Sequence, residues 1–466
     1  MHVVADLQLH SRISRAVSPQ MTLPNIALWA VRKGIDLIAT GDWMHPIWFR
    51  EIESQLEEQG NGLLRLRTQD SGHKTPFFML ATEVSSIYSQ GGKLRRVHTL
   101  VWVPTLESAR KISQEMTKRG CNLMSDGRPI VGLSCIHIAE LVLSIEPKAL
   151  IIPAHAWTPH FAVYGSMSGF DSLEEAFGPY AKHIYAIETG LSSNPAMNWR
   201  IKELDNRSIV SFSDAHSGPK LGREATVFEV PDGELSYKAI YQAIVGNQSN
   251  YESRIMNYGK DHSKNHNSKF ILHNSSVAYT IEFYPEEGKY HWSGHRACGI
   301  RWGPEETKTK GTTCPVCGKP LVQGVIQRVE ALAGRSEEDL QLMKTKSGMI
   351  MSKAFPNRPA FVMLVPLQEI ISESVGSPVA SPKVQGPYGV LTDALGGEFS
   401  VLLKASIDEI TKIAGERVAQ GIDKVRRGDI VIEPGYDGVF GVVKLWREGE
   451  EKPLVDSSKE QLAMFS

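Results

Sequence analysis

A chain of 466 residues is too long for one ordinary domain, and 41% hydrophobic with 22% charged residues is the composition of a folded, soluble protein. The net charge of −1 shows no overall basic surplus of the kind many nucleic-acid binders carry, and five cysteines are too few for a disulfide scaffold. No apolar run reaches membrane-spanning length, and Met1 leads straight into an alternating strand pattern rather than a signal peptide, so a cytoplasmic location is expected.

The first 250 residues alternate short apolar strands with helical stretches. Strands are predicted at Val3–Leu9, Leu37–Thr40, Phe77–Glu83, Val97–Val103, Ala149–Ala154, Ile184–Glu188 and Ile209–Ser213. Helices are predicted at Leu23–Lys33 behind a Thr22 cap, Ser108–Arg119, Ile136–Ser144, Asn198–Asp205 and Tyr237–Val245. This alternation argues for an α/β fold with a parallel sheet or barrel. A polar stretch over 251–269 reads as a linker. A compact cysteine-bearing segment follows at 279–325, then a Pro/Gly/Ser-rich break at Gly376–Gly389, a helical run from Ser406 to Arg427, and a turn at Glu433–Gly438.

Polar residues gather at the ends of the early strands. Asp6, Gln8 and His10 end the first; Asp42 and His45 follow the second; Glu83 ends the third. His98 lies in the fourth, His155 and Glu188 follow later ones, and Asp214 and His216 close the series. In a parallel barrel the carboxyl ends of the strands share one rim, where catalytic groups collect. A lone histidine is more often a hydrogen-bonded core residue, but packing does not require acid and histidine to recur at successive strand ends. Imidazole with carboxylate suits zinc, manganese or iron, and two or three such ions can activate water and steady the leaving oxygen of a phosphoester.

The motifs Asp6-Leu7-Gln8-Leu9-His10-Ser11 and Asp214-Ala215-His216 resemble the opening and closing signatures of the polymerase-and-histidinol-phosphatase (PHP) metallophosphoesterases. The resemblance covers residues 1–250 and implies a distorted (β/α)7 barrel with a trinuclear metal centre. It places Glu83 as a bridge between two ions, His10 and Asp214 on the first, His98 and His155 on the second, and Asp42, His216 and His45 on the third. Asp214, Glu83 and His98 are the residues it makes catalytic. Gln8 stands where that family has its first histidine. An amide oxygen is a weaker zinc ligand than imidazole, so a first site that is weakened, that prefers Mn²⁺ or Mg²⁺ to Zn²⁺, or that stays vacant is expected.

A second pattern, His291-x3-His295-x2-Cys298 followed by Cys314-Pro315-Val316-Cys317-Gly318, reads as a structural zinc site. Cys298, Cys314 and Cys317 supply three sulfurs, with His295 the best fourth ligand and His291 the alternative. Cys121 and Cys135 are expected to pack in the core.

Over nearly its whole length the chain resembles the endonuclease Q family. The segments that carry this are His10–Ser18, Gly41-Asp42-x2-His45-Pro46, Cys314–Leu321, Arg328-Val329-Glu330 and Pro434–Gly438. The layout becomes a PHP barrel at 1–250, a linker at 251–278, a zinc module at 279–335, a C-terminal DNA-binding region at 336–455 and a tail at 456–466. The resemblance implies a DNA repair endonuclease cutting 5′ of uracil, hypoxanthine, xanthine and abasic sites, with damaged DNA as partner and a nucleoid-associated location. There is no Gly-x4-Gly-Lys-Ser/Thr loop, which excludes ATP-driven unwinding.

Glu188 and Asn194 are candidates to line the substrate pocket, with a helix cap the other role open to Asn194. Arg12, Lys424, Arg426 and Arg427 are candidates for DNA phosphate contacts. Ile413–Ala419 faintly resembles a helix-hairpin-helix but lacks its second glycine. The tail residues Gln461, Leu462, Met464 and Phe465 resemble the peptide by which bacterial proteins hold the replication sliding clamp. The competing functions are a phosphatase or exonuclease on other phosphoesters, and a lesion-binding protein whose chemistry is weakened by Gln8.

Overall fold

The computed structural model describes residues 1–67, 75–246, 275–447 and 449–450. Its first strand, His2–Asp6, pairs parallel with Leu37–Ala39, which pairs parallel with Phe77–Gln90. That third strand is much longer than its apolar run suggests. It turns at Gly91-Gly92, at φ 60° and 72°, into Lys93–Val103, its antiparallel partner. Two successive left-handed residues are what a tight two-residue hairpin demands, and glycine meets them without steric cost. Lys93–Val103 then pairs antiparallel with Leu150–Pro153, while Ala186–Glu188 and Ser208–Val210 pair parallel. The sheet is therefore mixed, and the expectation of a uniformly parallel rim is corrected at this hairpin.

The hairpin places two of the polar residues. Glu83 stands opposite Leu100 and Ser85 opposite His98. Glu83 and His98 are thus diagonal neighbours on one face, a spacing across which long side chains meet.

Helix Leu23–Lys33 forms where its pattern predicts, with proline in its first turn and Gly34 closing it at φ 81°. Leu23, Ile26, Ala27 and Ala30 bury one stripe, and the helix packs against Pro382–Leu395 and Glu398–Leu403. Helices Leu106–Lys118 and Cys135–Ile145 are capped by the Thr105 and Ser134 hydroxyls. The predicted helix Asn198–Asp205 is instead two short pieces, Pro195–Trp199 and a 3-10 turn Lys202–Leu204.

Beyond the barrel the sheet continues. Ala225–Glu229 pairs antiparallel with both His2–Asp6 and Ser276–Glu282. Ser276–Glu282 pairs parallel with Ala360–Met363, and Ile350–Ser352 and Leu342–Lys344 add antiparallel neighbours. The sequence-based boundary at 278/279 thus falls inside a strand, and one large hydrophobic core includes residues from Val3 to Leu445.

Helices Leu367–Val375, Pro382–Leu395, Glu398–Leu403, Ile407–Ala414 and Glu416–Arg427 complete the C-terminal region. The break expected over Gly376–Gly389 shrinks, because Pro382 starts a helix there. The single run expected from Ser406 to Arg427 divides at Gly415, whose φ of 85° lies outside helical backbone. Lys33 ties this region to the barrel: its ammonium lies 2.6 Å from Glu398 Oε2, and both side chains are buried. Among the described residues, no helix is long and apolar enough to cross a membrane.

Candidate metal centre and adjoining cavity

Two groups of ligand-type atoms converge at the strand ends. His10, Asp214 and His216 form one, Glu83, His98 and His155 the other, each with ligand atoms within 4.8 Å of one another. Glu83 stands between them. Its Oε2 is 3.3 Å from His10 Nε2, while its Oε1 contacts His98 Nδ1 and lies 3.7 Å from His155 Nε2. Arg128 approaches the same Oε1 at 3.3 Å.

Several atoms here are buried and have no hydrogen-bond partner: Gln8 Oε1, His10 Nε2 and Asp214 Oδ1. The last two are 3.2 Å apart without forming a bond. Unpartnered buried polar atoms are rare because each forfeits its hydration. A nitrogen-and-oxygen set that converges without satisfying itself fits a divalent cation.

Asp42 serves this group from behind. Its Oδ1 is 3.0 Å from His10 Nδ1, and its Oδ2 accepts from Ser11 N, Ser11 Oγ and Ser14 Oγ. Both oxygens are engaged, so Asp42 orients the ring of His10. His216, grouped with Asp42 in the family-based expectation, packs instead with His10, the ring centroids 4.9 Å apart. His45 lies apart, its Nε2 3.3 Å from the Met124 carbonyl.

The backbone is strained where the chemistry is placed. Asp42, His155 and Asp214 have φ of 42°, 31° and 47°, a region non-glycine residues rarely enter unless the surrounding fold holds them there. Glycine gives these residues room. A Cβ on Gly127 would meet Asp42 Oδ2 at 2.4 Å, and one on Gly190 would meet His155 Cβ at 2.3 Å.

Electrostatics favours ligand-competent states at His98, Glu83 and Asp214, whereas at His10 burial is outweighed by the carboxylates of Asp42, Asp214 and Glu83, which raise the imidazole well above its ordinary value. Burial, with His155 and Arg128 nearby, drives His98 down to about 4 despite Glu83, leaving a neutral imidazole. Burial opposes the charge on Glu83, but His98 and Arg128 hold its carboxyl well below the usual range. Asp214 is also depressed, because His10 outweighs its burial.

A cavity of about 400 Å³ adjoins both groups. His98, His155, Asp214 and Arg128 form one side, and Ser192, Lys289, Tyr290 and His291 contribute to the rest among apolar residues. Neither Glu188 nor Asn194 lines it. Glu188 is fully buried and accepts from His155 N at 2.7 Å, with its carboxyl pushed well up by burial. Asn194 caps helix Pro195–Trp199 through Met197 N.

A profile described as the MJ0043 C-terminal domain matches residues 366–429. The uncharacterized protein YqxK of Bacillus subtilis is 28% identical over 459 residues, covering 95% of this chain and 99% of that protein. The uncharacterized protein MJ0043 of Methanocaldococcus jannaschii is 32% identical over 292 residues, which is 62% of this chain and 31% of that longer protein. The crystal structure of the lesion-specific endonuclease PfuEndoQ from Pyrococcus furiosus matches with a TM-score of 0.76 and 29% identity over 95% of both chains. Endonuclease Q in complex with a 27-mer duplex bearing an abasic lesion at the active site matches with a TM-score of 0.76 and 30% identity, over 96% of this chain and 98% of that one. This chain belongs to the endonuclease Q family.

The second cysteine-and-histidine pattern of this endonuclease Q family member also comes together. His295, Cys298, Cys314 and Cys317 place their ligand atoms within 4.8 Å of one another, around a small core of Trp302, Cys314 and Leu321. His291 is not among them. Cys135 is buried and Cys121 half-buried.

The basic candidates divide. Arg12 pairs with Glu51 at 2.6 Å, and Lys424 is held by Asp429 and Glu450. Arg426 donates to the carbonyls of Val401, Leu402 and Ala405, which closes the end of helix Glu398–Leu403, whereas Arg427 remains exposed beside Asp423. Gln461, Leu462, Met464 and Phe465 lie outside the described residues. Sequence reasoning missed Arg128, Ser192 and Tyr290, which sit in loops and turns without periodicity. The one signal, for Arg128 and Ser192, was a nearby glycine, Gly127 and Gly190.

Proposed function

We propose that this protein is a DNA repair endonuclease that hydrolyses the phosphodiester on the 5′ side of deaminated bases (uracil, hypoxanthine, xanthine) and of abasic sites. The observation that carries this is Glu83, set between two groups of ligand atoms at the wall of a cavity large enough for a nucleobase. Two or three divalent ions, Zn²⁺, Mn²⁺ or Mg²⁺, would supply the Lewis acidity that activates water and steadies a leaving oxyanion. His10, Glu83, His98, His155, Asp214 and His216 would hold them.

The chain's own groups have distinct tasks. Asp42 and Glu188 fix His10 and the backbone of His155. Arg128 brings positive charge to where a phosphate must lie. The carboxylate of Asp214, 24% exposed and at the cavity edge, is placed to take a proton from the attacking water. The cavity receives the extruded base or its empty sugar. The similarity to a lesion-specific endonuclease and to a complex with an abasic duplex supports this reading over a small-substrate phosphatase. A structural zinc in the Cys298 module, phosphate contacts through Arg12 and Arg427, and sliding-clamp binding by the tail belong to the same proposal.

One observation favours a lesion-binding protein with weakened chemistry. Gln8 Nε2 donates to Glu83 Oε2 at 2.7 Å, occupying an oxygen that a metal bridge would use. End-labelled duplexes bearing one uracil, one hypoxanthine or an abasic site, incubated with Mn²⁺, Mg²⁺ or Zn²⁺, separate the two. A nick 5′ of the lesion that disappears in Asp214→Ala supports the endonuclease. Tight binding to the lesion without a nick in any metal supports the binding protein.

A further inference from the structure

Residues 217–222 run on directly from Asp214 and His216 and include the turn Gly218–Lys220. One side of this segment closes on the metal centre. Gly222 N donates to Asp6 Oδ2 at 2.9 Å, and the same oxygen accepts from Ser213 Oγ at 2.6 Å. Arg223 donates to the carbonyls of Ser213 and Asp214 at 2.8 and 3.3 Å. The other side is covered by the C-terminal helices and by helix Leu23–Lys33, which packs on them. Phe399 lies so close to Gly222 that a Cβ there would meet its ring at 3.1 Å, and the Lys220 ammonium is 2.7 Å from Glu369 Oε1. The indole of Trp29 lies on Gly218, where a Cβ would meet it at 2.2 Å. Tyr388 stands beside that indole, with ring centroids 6.4 Å apart. Its hydroxyl donates to Glu398, the carboxylate that pairs with Lys33. Glu369, Tyr388 and Phe399 all fall within the profile match at 366–429.

We propose that the C-terminal helices are a positioning element of the metal centre: Phe399 directly, and Tyr388 through Trp29, hold residues 217–222 so that Asp214 and His216 keep the geometry in which they bind a divalent ion. This rests on the metal-centre reading above. Asp214 has a φ of 47°, a conformation that persists only where the surrounding fold imposes it. The segment that follows it has no strand of its own to impose it, only the turn Gly218–Lys220. Two aromatic rings set against two glycines supply the restraint. With no Cβ in between, each ring bears on the backbone itself, so its position is passed to the chain instead of being absorbed by a side-chain rotation. The cations of the same region fit a role within the molecule. Lys424 is held by Asp429 and Glu450, and Arg426 is spent on the carbonyls of Val401, Leu402 and Ala405.

The test uses the full-length protein with its zinc module loaded and reads Mn²⁺ binding at the centre by isothermal titration. Trp29→Leu removes the flat face on Gly218 and weakens Mn²⁺ binding about tenfold, the order that loss of the support behind a metal ligand costs. Trp29→Phe keeps an aromatic face there and recovers most of that loss. Phe399→Leu, which withdraws the second ring but stays apolar, weakens binding in the same direction. Ile410→Ala is the control. It opens the buried contact of helix Ile407–Ala414, which packs on Pro382–Leu395 and Glu416–Arg427. It lowers the melting temperature and leaves Mn²⁺ affinity within about twofold of the parent. Binding of an abasic duplex without added metal is unchanged in all four variants, and excess Mn²⁺ restores the single-turnover nicking rate of Trp29→Leu. Unchanged Mn²⁺ affinity in either Trp29→Leu or Phe399→Leu overturns the proposal. An equal loss in Ile410→Ala does so too, since the effect would then be one of general stability. Loss of duplex binding with Mn²⁺ affinity intact overturns it in favour of a DNA-contacting role for these helices. A parent that binds no Mn²⁺ at the centre sinks the metal-centre reading itself, and this inference with it.

Discussion

Asp42 Oδ1 lies 3.0 Å from Nδ1 of His10, and this contact points His10 Nε2 toward Asp214 and Glu83. The other Asp42 oxygen is pinned by Ser11 and Ser14, so the carboxylate cannot swing toward an ion without breaking three hydrogen bonds. Carboxylates behind ligating histidines fix the ring and raise its basicity, and removing them lowers metal affinity by about 10–100-fold. Asp42→Asn is expected to weaken metal binding at the centre by that order while the zinc module keeps its ion. Isothermal titration with Mn²⁺ alongside elemental analysis checks both halves; unchanged affinity would mean that His10 needs no such support.

Gln8→His should strengthen the site. The substitution replaces an amide with imidazole and releases Glu83 Oε2 from the hydrogen bond it now accepts. The metal concentration for half-maximal nicking is expected to fall by about tenfold. A rise, or no nicking at any concentration, would indicate that the wall around Gln8 cannot take the ring.

Cys317→Ser should cost the chain one zinc ion and lower its melting temperature, because the ion closes a module whose own core is only Trp302, Cys314 and Leu321. Cys121→Ser, outside the cluster, should change neither quantity. Zinc released on denaturation, measured colorimetrically, gives the answer directly.

Glu282 gives the fold a pH dependence of known sign. Burial raises its carboxyl from 4.5 to about 7, although Ser211, Thr280 and Thr189 all donate to it. The folded state therefore prefers the neutral acid. Its stabilising effect is complete below pH 4.5 and is lost as pH rises through about 7. Glu282→Gln lacks this loss, so its stability relative to the parent should climb by on the order of 3 kcal/mol across that window. Urea denaturation on the acid side of the window and again about one pH unit above it measures the change; parallel curves would refute it.

Lys33→Met should destabilise by about 3–5 kcal/mol, because Glu398 would remain buried without its counter-charge while Tyr388 and Leu367 N still donate to it. Adding Glu398→Gln should recover most of the loss. Chemical denaturation of the two singles and the double closes the cycle, and additive losses would show that the pair is not coupled.

What the sequence made legible was whatever sits on a regular element or in a tight covalent spacing. His10, Glu83, His98, His155 and Asp214 lie on strands or just past their ends, and the Cys314–Cys317 knuckle brings its ligands together within one turn. The strand direction at Gly91-Gly92 was also written in the chain, as a glycine pair between two β-rich runs, but the βα alternation around it suggested a parallel order. The division at Gly415 showed only as the faint helix-hairpin-helix resemblance over Ile413–Ala419, because an isolated glycine is often tolerated within a helix. Arg128, Ser192 and Tyr290 were invisible for a different reason. They reach the cavity through loops whose course is set by packing against distant residues, and beyond the glycines beside Arg128 and Ser192 no local pattern encodes that.

The strand Ser276–Glu282 is hydrogen-bonded on one edge to Ala225–Glu229 and on the other to Ala360–Met363. Cutting the chain after residue 250 would strip a neighbour from the barrel's own strand and bare an open edge, an invitation to intermolecular pairing. In this chain the border of the barrel's sheet is therefore built by segments that follow residue 275.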